Sequence, residues 1–381
     1  MTRGVAALVA SAALMLAACG RGASMSEHAS SISSQPFGVT ADGDVIDRYV
    51  LKNARGLEMT AMNYGGIILS IRTPDRRGQL DDIVLGYDAA ASYFTNPAFF
   101  GALIGRYGNR IARGRFTLDG TTYQLATNDG PNHLHGGTRG WDHAVWHVEP
   151  FNDKTGVGLV LSRTSPDGEE GYPGRVKATV TYTLTDQDEL RIDYAASSDR
   201  PTIINLTQHS YFNLAGAHGS SVLGHELTIH ADRYTPVDPT LIPTGELAPV
   251  DGTPFDFRQS TAIGARISQK DVQLERGRGY DHNFVLNRSD DGLVSAASVY
   301  EPSTGRTLDV RTTEPGLQFY SGNFLDGSIT GKNGVAYPQR SGFCLETQHF
   351  PDSPNRPNFP STTISPDRPF SSTTIFTFGT K

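Results

Sequence analysis

Cysteine is scarce in this chain: there are two, Cys19 and Cys344. Two thiols cannot build a disulfide framework, so stability must come from a hydrophobic core. No block of basic residues occurs, and the formal net charge is −7. Nucleic acid is therefore excluded as an expected partner, since its binding rests on clustered Lys and Arg. Sustained helical periodicity is also rare. The best helical stretch is short, DAAASY at residues 88–93. The apolar run at residues 5–18, VAALVASAALMLAA, is too short to span a bilayer comfortably and fits the h-region of a secretory signal. Glycine and proline, in contrast, are abundant, with 41 and 22 copies. That density breaks helices and suits many strands joined by long loops.

The N-terminal run is preceded by Arg3 and ends in LAAC. Small residues leading into a cysteine resemble the lipobox of bacterial lipoprotein signal peptides. The resemblance implies that residues 1–18 are a signal peptide and that Cys19 becomes the lipidated N-terminus. Residues 19–35, rich in Ser, Gly and Ala, then form the lipidated cysteine and a flexible tether. The protein is expected in the bacterial cell envelope, facing the periplasm from the outer membrane and held there by its lipid alone. Cys344 would then have no partner within the chain.

Residues 36–381 are expected to form one all-β domain. In VKATVTYTLT, Val176, Ala178, Val180, Tyr182 and Leu184 alternate with Lys177 and four threonines, which marks a half-buried strand. A TDQD turn follows, and Leu190, Ile192 and Tyr194 resume the period of two, so the pair reads as an antiparallel hairpin. Val157, Leu159 and Leu161 suggest a strand before it, and TTIFTFGT another at the C-terminus. A large antiparallel β domain is the economical reading.

Candidate chemistry is spread along the chain. GPNHLHGG holds His133 and His135. On a strand, residues i and i+2 point the same way, so both imidazoles could face one metal ion. The carboxylate such sites need a few residues on is missing, which makes this weak. Elsewhere, GRYGNRIARGRFTLDG carries Asn109 and Arg110, NLTQHSYFNLAG carries His209, GYDHNFVL carries Asp281, and GFCLETQHFPDSPN carries Glu346. Singly, each has an ordinary alternative as a turn, a surface charge or a core histidine.

Together, GNRIARGRFTLDG, NHLHGG, NLTQHSYFNLAG, YDHNF, PGLQFYSGN and CLETQHFPDSPN resemble the aldose 1-epimerase (galactose mutarotase) family, in the family's order, from roughly residue 37 onward. The resemblance implies a large antiparallel β-sandwich with an open sugar-binding groove. It implies Glu346 as catalytic base and His209 as catalytic acid. It places His135, Asn109, Arg110, Asp281 and Gln318 against the sugar. It implies no metal and no other cofactor, and gives His133 no catalytic role.

The implied reaction exchanges the α and β forms of a free aldose. A base takes the proton from the C1 hydroxyl, an acid protonates the ring oxygen O5, and the open chain recloses from the other face. Burial beside Leu345 and Cys344 is expected to raise the Glu346 pKa, and Glu346 across the sugar to keep His209 protonated. Trp141 is a candidate stacking surface for the sugar, or else a core residue. Two other functions stay open. A hexose-6-phosphate 1-epimerase would need added Arg or Lys at the groove, and only Arg110 is placed there. A noncatalytic sugar-binding surface lipoprotein would not need Glu346 or His209.

Overall fold

The computed structural model describes residues 1–2 and 29–381. The LAAC segment, Cys19 and most of the expected signal peptide lie outside the described residues. Among the described residues no helix is long and apolar enough to cross a membrane.

The expected antiparallel β-sandwich is what forms. One sheet of nine strands carries, in spatial order, His147–Asp153, Gly156–Ser165, Val176–Leu184, Glu189–Ser198, Phe370–Thr380, Arg306–Thr312, Val294–Tyr300, Glu226–Ile229 and Thr261–Ala262. The predicted hairpin pairs Val180 with Tyr194 and Tyr182 with Ile192. Its alternation is realised in burial: Val176, Ala178, Val180, Tyr182, Leu190, Ile192 and Tyr194 are all buried, while Lys177 is exposed. The period of two turns one face of each strand into the core, as the pleat requires.

A five-stranded N-terminal sheet begins with Ser31–Val39, which pairs antiparallel with Val45–Lys52. Residues 31–35 therefore belong to a strand and not to the tether that their composition suggested. Ser33 lies opposite Val50 and Gln35 opposite Arg48, so backbone pairing overrides a polar, Ser-rich sequence at an edge. The helical expectation at residues 88–93 is met only by a short 3-10 turn, Ala90–Thr95. The one α-helix among the described residues is Val272–Gly277, capped by the Asp271 side chain, which accepts from the backbone N–H groups of Gln273 and Leu274.

The sheet that carries the groove runs Ala248–Pro249, Ala231–Tyr234, Asp281–Leu286, Gly316–Tyr320, Cys344–Gln348. Leu317, Phe319 and Leu345 on its inner face join Leu159, Val180, Ile192, Val310 and Phe376 of the large sheet in one core. Trp141 belongs to this core as well. It is 2% exposed, packs edge-on against Trp146 and lies under the Arg163 guanidinium, so it offers no face to a sugar.

Candidate active site

The outer face of the groove sheet is fixed by register. Glu346 lies directly opposite Gln318, and Gln318 opposite Asn283. Residues opposite one another in a ladder point to the same face, so Glu346 and Gln318 emerge together. Asp281 lies opposite Tyr320, one pleat along on that face. The Gln318 amide Nε2 donates to Asp281 Oδ1 at 2.7 Å, which fixes both side chains. Gln318 Oε1 and Glu346 Oε2 are buried and have no hydrogen-bond partner among the described residues.

His209 ends the strand Thr207–His209, which pairs with Ala102–Ile104. Its Nε2 stands 3.6 Å from Glu346 Oε2. The ring is held by Tyr211 at 5.2 Å and Phe99 at 6.0 Å, with Cys344 Sγ 3.7 Å behind Nδ1. His135 closes the third side, perpendicular to His209 at 5.1 Å between ring centres.

The two histidines of HLH part company. The strand His133–Leu134 ends before His135, whose φ of 49° is left-handed. The i, i+2 geometry of the metal reading therefore does not hold. His133 turns inward, with Nδ1 against the Ala126 carbonyl at 2.8 Å and Nε2 against the Tyr172 hydroxyl at 2.6 Å. His135 turns into the groove. Gly136 follows it because a Cβ there would lie 1.9 Å from the Gly105 carbonyl oxygen.

Asn109 and Arg110 form the opposite wall. The Asn109 N–H donates to His135 Nδ1 at 3.1 Å, and the His135 N–H donates to the Asn109 carbonyl. Arg110 Nε is paired with Asp129 Oδ2 at 2.7 Å. The Pro-rich loop after Glu346 supports this wall from behind: the Asp352 N–H donates to the Arg110 carbonyl, and Asp352 Oδ1 accepts from the Ala112 N–H. All seven residues implied by the family resemblance lie in or against one cleft of about 680 Å³, Gln318 through its bond to Asp281. Phe99, Asp129, Tyr211, Tyr320, Phe324, Arg276 and Arg278 also line it and were not singled out from the sequence. Tyr211 could have been found, two residues beyond His209 in NLTQHSYF; Arg276 lies in, and Arg278 at the end of, a short helix that periodicity did not reveal.

Burial dominates the electrostatics. The Glu346 pKa is raised well above the usual carboxylate range by burial, with Asp281 adding and Arg110 opposing. Burial also raises Asp281, against the pull of Arg110 and the Gln318 hydrogen bond. His209 departs from expectation: its pKa is lowered, to about 4, by burial. The reason is that Glu346 is driven toward its neutral acid by the same desolvation and lends little field to an imidazolium. The pair thus tends to hold one proton between its two members, resting on Glu346.

His135, His209 and Glu346 offer one ligand atom each within 4.8 Å of one another. The donor chemistry fits a metal poorly. Because His135 Nδ1 accepts from the Asn109 N–H, the ring proton sits on Nε2, which presents a donor and not a lone pair. Anomer exchange is accordingly expected to survive exhaustive chelation; a loss restored by stoichiometric zinc would contradict this.

The chain is similar to known proteins over most of its length. Residues 47–377 match the family described as aldose 1-epimerase. The chain is 46% identical to the galactose mutarotase of Homo sapiens, over 91% of this chain and 98% of that protein. It is 40% identical to the aldose 1-epimerase of Escherichia coli K12, over 88% of this chain and 96% of that protein. In structure it resembles the galactose 1-epimerase of Lactobacillus acidophilus NCFM, with a TM-score of 0.82 and 29% identity, covering 92% of this chain and 99% of the other.

Proposed function

The chain belongs to the aldose 1-epimerase family, and on that premise we propose how its groove exchanges the anomers of a free aldose. The protein is an isomerase that interconverts α and β forms, and glucose- or galactose-type sugars are its substrates. The observation that carries the assignment of roles is the contact of Glu346 with His209, 3.6 Å apart and both buried in one cleft.

The C1 hydroxyl of the sugar donates to Glu346 Oε2, and O5 accepts from His209 Nε2–H. Both bonds favour the charged arrangement, carboxylate plus imidazolium, over the neutral one. Transfer of the O1 proton to Glu346 and of the His209 proton to O5 then opens the ring in one step. It leaves Glu346 protonated and His209 neutral, which is the distribution that burial already favours. Rotation about C1–C2 and the reverse transfers close the other anomer. Nothing is oxidised or reduced and no group leaves, so the two side chains end as they began.

The remaining groups hold the sugar. Asp281 and Gln318 receive and donate hydroxyl hydrogen bonds, Arg110 donates from the opposite wall, and His135 Nε2–H adds a fixed neutral donor. Comparing the optical rotation of fresh α-D-glucose and α-D-galactose with and without the protein tests this reading.

We also propose that the protein is anchored in the envelope by lipid on Cys19. The support is the LAAC run after an apolar segment at residues 5–18. Wild-type protein is expected to fractionate with membranes, and Cys19→Ala to release it or block processing. Recovery of soluble, uncleaved and unlipidated wild-type protein would rule the anchor out.

A further inference from the structure

We infer that the groove has an outer subsite for an anionic sugar unit, where Arg276 and Arg278 receive a carboxylate on a glycosyl residue joined to the reacting aldose. This rests on the aldose 1-epimerase reading and extends it to a substrate class: reducing disaccharides that end in a hexuronic acid.

Three observations carry it. First, the cleft is larger than its chemistry requires. At about 680 Å³ it falls in the range of sites that enclose drug-sized ligands, roughly 300–1,000 Å³, whereas the reacting sugar is a single pyranose. Its lining continues past Tyr320 to Phe324, Arg276 and Arg278.

Second, the far wall is built as a column. The Tyr320 ring lies beside Glu346's strand, opposite Cys344, and its hydroxyl accepts from the Phe324 N–H at 2.8 Å. Phe324 stacks on Tyr320 with ring centres 5.9 Å apart, and the Arg278 guanidinium carbon sits 5.4 Å from the Phe324 ring centre. The column carries a positive charge outward from the acid–base pair by successive ring contacts. A guanidinium stacked on a ring keeps its N–H edge free, and that edge matches a carboxylate in bidentate fashion.

Third, the charges here are uncompensated. Arg276 is anchored through Nη1 to the Val237 carbonyl, a neutral acceptor. Neither Arg276 nor Arg278 has an ion pair among the described residues, in a protein whose net charge is −7. Among the described residues, none of the acidic groups lining the cleft forms an ion pair with either arginine. Asp129 is paired with Arg110, Asp281 and Glu346 are pushed toward their neutral forms, and the Asp326 carboxylate accepts from the Ser328 N–H and hydroxyl. Exposed Phe324 would otherwise be an apolar residue at a rim for no evident gain.

The test uses the full chain and three sugars: a neutral reducing disaccharide, the same disaccharide with a uronic acid at its non-reducing end, and an aldohexose 6-phosphate. Dissociation constants come from calorimetry and anomerisation from polarimetry on the same samples. The acidic disaccharide is expected to bind roughly tenfold more tightly than the neutral one, the scale of a charge-assisted bidentate contact at a half-exposed site. High salt should erase the difference, as should Arg276→Gln combined with Arg278→Gln. Equal dissociation constants for the two disaccharides would overturn the subsite. So would a preference confined to the 6-phosphate, which would place the anion at C6 of the reacting sugar. Failure of all neutral aldoses to anomerise would overturn the epimerase reading instead, because the calorimetric comparison does not depend on turnover.

Discussion

Glu346→Gln is expected to lower kcat by roughly 10²–10⁴-fold, the usual worth of a positioned general base. Glutamine keeps the shape and hydrogen-bonding reach of the side chain but cannot accept the O1 proton. The site should tolerate the change. Glu346 is 2% exposed and already driven toward its neutral form, so a neutral amide takes the place of a group that burial already favours uncharged. Thermal unfolding should therefore show a folded protein, which separates lost chemistry from lost structure. KM should move less than kcat, because binding rests on Arg110, Asp281 and Gln318. A well-folded variant with near-normal kcat would remove Glu346 from the role of base.

His209→Asn should cost kcat by a similar factor, roughly 10²–10⁴-fold. Asparagine retains a donor near O5 but cannot deliver a proton. The double variant should be little worse than either single one, since acid and base act in the same step. The pH profile adds a sharper expectation. The active pair holds one proton. Below about 4, His209 gains a proton while Glu346 already carries one, and no base remains. Above the raised range of Glu346 the last proton leaves, and no acid remains. The profile of kcat/KM is thus a bell whose limbs belong to the pair, with an acid limb near 4 and an alkaline limb above the ordinary carboxylate range. In His209→Asn the alkaline limb should be lost and the acid limb should move up from near 4 to the raised range of Glu346, the base that remains. An unchanged bell in that variant would mean that another group sets it.

Strand period was the most legible feature of the sequence. Val176 to Leu184 and Leu190 to Tyr194 alternate because one face meets a core, and the pleat transmits that demand straight to residue order. The site was legible only through its long motifs. No spacing shows that Glu346 and His209, 137 residues apart in the numbering, would stand 3.6 Å from each other; that contact depends on how separate ladders stack. The same holds for the divergence of His133 and His135. It turns on a left-handed φ at one residue, and the Gly136 close approach that accompanies it involves Gly105, distant in the chain. The lowered pKa of His209 is hidden from the sequence for a related reason. Residue types announce a carboxylate and an imidazole, but only the fold says that both are desolvated enough for the carboxylate to lose its charge first.

The most direct measurement of the central claim is polarimetry of freshly dissolved α-D-galactose with the wild-type protein and with Glu346→Gln, side by side. The account predicts that wild type speeds the approach to the same equilibrium rotation, and that the variant follows the curve close to that of sugar alone. A wild-type curve indistinguishable from the spontaneous one, or a variant as fast as wild type, would contradict it.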